Sequence, residues 1–290
     1  MKNRFLLFTI IIFFITTAFK SDKPAYQLFK ANGKKTKYTR LLKAAKEADI
    51  VFFGELHNNP ICHWLQLELT CDLFTENDSA NIILGAEMFE ADDQLILDEY
   101  LGGVIKESNF EKEAKIWPNY KTDYKPLINF AKENQLEFIA TNIPRRYASV
   151  VHNGGFEALD GLTDEAKSYI APLPVQYDPE LEGYKSMLEM MGSMGHGSEN
   201  LPKAQAAKDA TMSYFILKNW ENGKIFIHYN GAYHSKNFEG IVWYLKQENP
   251  DLNILTINSE EQAQLDSLKS ELENTADFIL VIPEVMTKTY

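Results

Sequence analysis

The amino-acid sequence predicts an α/β fold, a mainly parallel sheet flanked by helices with a helical lid inserted late in the chain. Three observations predict it. Short, almost wholly apolar runs recur along the sequence, as strands covered on both faces require. Helical patterns separate them, and repeated β-α-β units with right-handed crossovers give parallel pairing. From about residue 150 to 202 the alternation stops, and a segment rich in Gly, Pro and Met takes its place.

The chain opens with Met1-Lys2-Asn3-Arg4, an apolar run from Phe5 to Phe14, and small residues up to Ala18. That order has the shape of a secretory signal, so residues 1–18 are expected to be a signal peptide and 19–290 a single domain. Cleavage would remove Lys2 and Arg4 and take the net charge from −12 to −14. The rival expectation is an uncleaved N-terminal anchor, although the apolar run is short for a spanning helix. No cysteine lies near the end of the run, so a lipoprotein is not expected.

The first strand is expected at Ile50–Phe53. Asn59-Pro60 then opens a helix to about Glu76, with Asn59 as cap and Pro60 in the first turn. A second strand at Ile82–Ala86 is followed by a helix from Asp92-Asp93 to Leu101, stopped by Gly102-Gly103. Pro126–Asn134 leads to a third strand at Glu137–Ala140. After the interrupted region, an amphipathic helix from Lys203 to Trp220 feeds a fourth strand at Lys224–Tyr229. Asn253–Ile257 and Phe278–Ile282 complete the set. Cys62 and Cys71 fall on one helix, roughly 13 Å apart at 1.5 Å per residue, too far for a disulfide.

A net charge of −12 argues against a nucleic-acid partner, which would require a basic face. The informative motifs are two Gly-x-x-His tetrapeptides, Gly54-Glu55-Leu56-His57 and Gly231-Ala232-Tyr233-His234, each directly after an expected strand. In an open parallel sheet, ligands bind beyond the carboxyl ends of the strands. The second strand runs into Glu87, and the third into Thr141-Asn142 and Arg145-Arg146. Imidazoles and carboxylates suit zinc, manganese or iron. A glutamate there would serve as a base, and an arginine would hold an anion or a developing negative charge. Any one of these residues is better read as an ordinary loop residue, with Gly54 and Gly231 as turn glycines; four such groups at successive strand ends favour a site.

His63 reads as a partly buried helix residue in preference to a support for the site, and His152 as exposed. Asp209 faces inward on an alanine-rich helix, with Arg145 or Arg146 as its expected structural partner. In the insertion, Met187, Met190, Met191 and Met194 surround Gly192 and precede Gly195-His196-Gly197. Methionine adapts to irregular apolar ligands, so this is either a lid over the sheet edge or a helical subdomain with a Met-filled core.

At these residues the sequence resembles the ChaN family of haem-binding, iron-regulated bacterial proteins, within the wider group that includes Tiki, TraB and erythromycin esterases. The resemblance rests on Gly54-Glu55-Leu56-His57-Asn58-Asn59-Pro60 and Gly85-Ala86-Glu87-Met88-Phe89-Glu90. It continues through Asn142-Ile143-Pro144-Arg145-Arg146, Ala204 to Met212 and Gly231-Ala232-Tyr233-His234, in consistent order from about Asp49 to Leu245. It implies an exported haem-binding protein serving haem or iron acquisition. Outer-membrane uptake components are the implied partners, and a homodimer formed around haem the implied assembly.

Carried over by position, His57, Glu87, Arg145 or Arg146, and His234 form the ancestral pocket. His196, Tyr184, Tyr177, Met191, Met194, Tyr233 and Arg146 are the implied haem contacts, with a His or Tyr axial ligand and an arginine on a propionate. The alternative is a metal-dependent hydrolase. There, His57 and His234 hold a divalent metal, Glu87 or Glu55 is the base, and Arg145 stabilises the oxyanion. A third reading is a non-catalytic binder of another small molecule.

Overall fold

The computed structural model describes residues 23–76, 81–194 and 199–290, without the side chains of 190–194. The expected signal peptide and His196 therefore lie outside the described residues, as do the side chains of Met191 and Met194. Among the described residues, no helix is long and apolar enough to cross a membrane.

Eight strands form one sheet: β1 (Gln27–Lys30), β2 (Lys35–Thr36), β3 (Ile50–Glu55), β4 (Ile82–Glu90), β5 (Phe138–Asn142), β6 (Ile225–Gly231), β7 (Ile254–Gln262) and β8 (Phe278–Pro283). Their order is β2-β1-β8-β7-β3-β6-β4-β5. Every pair from β8 across to β5 is parallel, and β1 runs antiparallel to both β8 and β2. The fold is α/β, as expected. The antiparallel corner at β1 and β2 was not anticipated, because Gln27-Leu28-Phe29-Lys30 is too short and too polar at its ends to stand out.

Both faces of the central strands are buried, which explains their continuous apolar runs. Val51 and Phe53 of β3 pack with Leu84, Ile227 and Tyr229 under the helix Pro60–Glu76, through Leu65, Leu69 and Leu73. Ile50 and Phe52 point the other way, to Met212, Ile216, Ile241 and Leu245 of the helices Leu201–Asn219 and Ile241–Glu248. The Pro60 helix starts as expected, because Asn59 Oδ1 accepts from the Ile61 amide at 3.0 Å. At the outer edge, Gln94 guards β5: its Nε2 donates to the Phe138 carbonyl (3.0 Å) and its Oε1 accepts from the Ala140 amide (2.6 Å). A side-chain amide thus occupies backbone groups that would otherwise pair with another chain.

The topology fixes where a site can form. From β3 the chain leaves toward β4 and β5, whereas from the adjacent β6 it leaves toward β7 and β8. The crevice beyond the carboxyl ends of β3 and β6 is therefore the switch point of the sheet. The two Gly-x-x-His motifs occupy it.

The interrupted region contains the helices Arg145–Gly154, Asp164–Lys167 and Glu182–Met194. Its described core is not built from methionine: Ile143, Ala148, Val151, Leu159 and Ile170 pack on Ala204 and Ala207. The start of the Glu182 helix is held by Glu239, which accepts from the Glu182 and Gly183 amides at 3.0 and 2.7 Å.

Candidate functional site

Strands β3, β4 and β6 run two to four residues further than their apolar runs suggested, and the extra residues carry the polar groups. Glu55 is the last residue of β3, Glu87 lies within β4, and Gly231 ends β6. The β4–β5 register shifts between Ala86 and Glu90, and such an irregularity re-aims side chains near a sheet rim. Glu87 consequently turns toward β6, where its Oε2 accepts from the Gly231 amide at 2.7 Å.

Glycine is required at 231 for close approach and not for a turn. A Cβ there would lie 2.7 Å from His57 Nε2 and 3.4 Å from Glu87 Oε2, so the imidazole and the carboxylate converge on this bare backbone. Gly54 is similarly constrained, since a Cβ would sit 2.9 Å from the Ile257 carbonyl and 3.1 Å from Ala232 Cα.

Two polar clusters meet at the crevice. In the first, buried Glu55 accepts from His57 Nδ1 (2.8 Å), Gln66 Nε2 (2.5 Å) and the Tyr124 hydroxyl (2.8 Å). Burial opposes ionisation of Glu55, but the hydrogen bond from His57 and the charge of His63 outweigh it and lower its pKa. His57 moves the other way: burial disfavours its cation, yet Glu55 and Glu87 raise its pKa. Its ring packs edge-on against Trp117, with centroids 4.9 Å apart. The His57 carbonyl accepts from His63 Nε2 (3.0 Å) and Asn119 Nδ2 (2.9 Å), which pins the loop from both sides.

In the second cluster, His234 lies between two acids. Nδ1 is 2.5 Å from Asp209 Oδ1, and Nε2 is 3.2 Å from Glu87 Oε1. Burial works against the imidazolium, but Glu87 and Asp209 override it and push its pKa up to about 10. Glu87 is held far below the usual carboxylate range despite burial, by His234, His57 and the Gly231 amide. Asp209, whose Oδ2 accepts from the Tyr184 hydroxyl at 2.9 Å, is raised by burial more than its contacts lower it. Glu87 is the firmly ionised member of the pair because it alone has a backbone N–H and a second histidine nearby. A third histidine, His228, is buried within β6 and pushed down to about 4 by desolvation.

A cleft of about 440 Å³ opens over these groups, lined by His57, Tyr233, His234, Lys236 and Ser259 among others. Its volume lies within the ordinary range for a small-molecule site. His57 and Tyr233 present accessible side chains there, whereas His234 is buried.

The structure thus brings Glu55, His57, Glu87, Tyr233 and His234 together, and it separates the others. Arg145 and Arg146 are exposed on the helix Arg145–Gly154 and line a neighbouring cleft of about 690 Å³ with Lys115 and Trp117. Arg146 is paired with Asp92 at 2.5 Å. Asp209 meets His234 and Tyr184, not an arginine as expected, because both arginines are exposed on their helix and Arg146 is turned to Asp92. Tyr184 is buried on Asp209 and therefore does not offer its hydroxyl to a ligand. Tyr177 packs edge-on against Phe156 and tilted against Tyr184. His152 is half-buried rather than exposed.

The expected divalent metal on His57 and His234 has no support. Among the described residues no group of three or more His, Cys, Asp or Glu is arranged to hold a metal ion.

Sequence reasoning missed Gln66, Trp117, Asn119, Asp123 and Tyr124. For the first there was a signal: His63, Gln66 and Thr70 recur at helical spacing on the buried face of an otherwise apolar helix. Trp117 to Tyr124 had none, since an irregular stretch gives no periodicity to read.

Comparison with known proteins decides the family. The profile described as haem-binding uptake, Tiki superfamily, ChaN matches residues 41–245. The chain belongs to the ChaN family. Among solved structures, ChaN of Campylobacter jejuni, described with cofacial haem binding, aligns with a TM-score of 0.67 at 18% identity, covering 89% of this chain and 96% of that one. A succinoglycan biosynthesis protein aligns at 0.49 and 12% identity (87% and 94% covered), and a mutant erythromycin esterase in its open conformation at 0.45 and 11% (90% and 83%). The ChaN alignment confirms the fold. No curated protein matches the sequence.

Proposed function

We propose that this protein binds haem at the carboxyl ends of β3 and β6, for haem or iron acquisition outside the cytoplasm. Membership of a haem-binding family supports the ligand. The observation that carries the reading to particular residues is His57. Its side chain is one-third exposed at the cleft, and its Nδ1 is held by a buried carboxylate. Imidazoles that ligate metals are commonly braced in this way, because the carboxylate fixes the ring and raises its basicity.

The residues present fit the group. His57 and the exposed phenols of Tyr233 and Tyr290 are donor-bearing side chains of suitable chemistry in the cleft, and Trp117 offers an aromatic wall behind the His57 ring. Bound haem would supply the iron that accepts such a donor. Arg145, which has no ion pair or hydrogen bond among the described residues, would meet a propionate. Arg146 is already neutralised by Asp92.

Export by residues 1–18, a periplasmic or cell-surface location, delivery to outer-membrane uptake components and a homodimer belong to the same proposal. They rest on the composition of the leader and on the family. The helix Glu182–Met194 is proposed as a cover, since its start is anchored to the loop after His234.

A haemin titration followed by Soret absorbance tests the reading. Saturable binding that is lost in His57→Ala and kept in Tyr233→Phe supports His57 as the ligand. The reverse pattern assigns the iron to Tyr233, and an absence of binding removes the proposal.

A further inference from the structure

After β8 the chain does not leave the molecule; residues 284–290 turn back across the carboxyl edge of the sheet. The Glu284 amide donates to the Gln262 carbonyl at 3.1 Å, and Met286 packs on the main core. Lys288 pairs with Glu261, which also accepts from Asn59. The Thr289 amide donates to the Asn58 carbonyl at 3.0 Å, and its hydroxyl donates to Asp123 Oδ2 at 2.7 Å. Asn58 follows His57 directly, and Asp123 belongs to the Asn119–His63 network that pins the His57 carbonyl. The segment is therefore fastened to the loop that presents His57.

Tyr290 stands beyond this latch, with 63% of its surface exposed. It lines both the cleft over His57 and His234 and the neighbouring cleft of Arg145 and Trp117. His57 lines the first space and Trp117 the second, and their rings meet edge-on at 4.9 Å. The two spaces, about 440 and 690 Å³, are thus kept apart in part by one tyrosine on a strap held by a few hydrogen bonds. Tyr290 is the lining residue the two spaces share, so a ligand filling both, from His57 to Arg145, meets it.

We propose that residues 284–290 are a strap that gates the site: latched through Thr289 in the free protein, it divides one groove into two, and a planar acid spanning from His57 to Arg145 enters by displacing Tyr290. This inference rests on the proposed haem site and adds its gate. A site that must first open binds with an affinity reduced by the fraction already open. A hydrogen bond to a carboxylate is strong enough to keep that fraction small. Loosening the latch should consequently tighten binding.

The test uses the full protein, with haemin and iron-free protoporphyrin IX as probes. Thr289→Val removes the hydroxyl donor and keeps the shape, and Thr289→Ser keeps the donor as a control. The strap predicts that Thr289→Val binds haemin on the order of tenfold more tightly, with Thr289→Ser unchanged. It also predicts that the Thr289 amide, protected from hydrogen exchange in the free wild-type protein, loses protection when either porphyrin binds. Wild-type haemin binding with the amide still protected, or unchanged affinity in Thr289→Val, overturns the strap and leaves the haem site standing. No haemin binding by either protein overturns both.

Discussion

Replacing His234 by alanine probes the charge arrangement on which the site is built. In the folded protein Glu87 Oε1 and Asp209 Oδ1 lie 3.2 and 2.5 Å from the imidazole, and all three groups are buried. Removing the cation leaves two buried acids without their shared partner. Loss of one partner of a buried charge pair typically costs about 3–5 kcal/mol. For a protein of this size, that lowers the melting temperature by on the order of 10 °C.

The pH dependence gives the argument its sign. The pKa of His234 rises from 6.5 to about 10 on folding, so its contribution is complete below 6.5 and is lost as pH climbs toward 10. The pKa of Glu87 is depressed from 4.5, so its contribution is present above 4.5 and is lost on acidification below that value. The wild-type advantage over His234→Ala should therefore be widest between these limits and shrink on either side. Urea unfolding at pH 5.5, 7.5 and 9.5 measures it. A Glu87→Gln, His234→Ala double variant should also lose less than the sum of the two single changes. A cost below about 1 kcal/mol at pH 5.5 that does not vary with pH would mean that His234 is neutral, and the reasoning would fail.

Three further outcomes are expected. Gly231→Ala should keep the fold, as judged by circular dichroism, and weaken haemin binding at least tenfold, because its Cβ would displace His57 Nε2; undiminished affinity would show that His57 takes no part. His228 should remain neutral in nuclear magnetic resonance titrations down to about pH 4, with its proton on Nδ1 facing Asn230 Oδ1. Its depressed pKa should cost stability as pH falls from 6.5 toward 4, and a titration near 6.5 would contradict its burial. Arg145→Ala should weaken haemin binding by a few-fold and Arg146→Ala by less, since Arg146 is held by Asp92; equal losses would contradict the assignment of Arg145 to the anion.

Much of this architecture was legible in the amino-acid sequence. The central strands are doubly covered, so their apolar runs announce them, and the Asn59-Pro60 cap marks the first helix. The two Gly-x-x-His motifs were visible as a pair because both follow such runs. Strand ends were less visible, because Glu55, Glu87 and Gly231 continue the ladder after the apolar pattern stops. Partners were harder still. The inward face of the helix Leu201–Asn219 showed that Asp209 must meet something, but whether an arginine or His234 depends on where side chains from distant turns point at the sheet edge. Tyr124, Asn119 and residues 284–290 carry no local signal, since their roles arise only when distant loops meet at the sheet edge.

The central claim is that the His57 cleft binds haem, and a haemin titration of the protein with metal analysis of the untreated sample tests it most directly. The account predicts a saturable, stoichiometric Soret shift, abolished in His57→Ala and weakened in Gly231→Ala while their folds persist. A protein that shows no Soret shift, and instead carries one equivalent of zinc, manganese or iron that is lost on replacing His57 or His234, would contradict it.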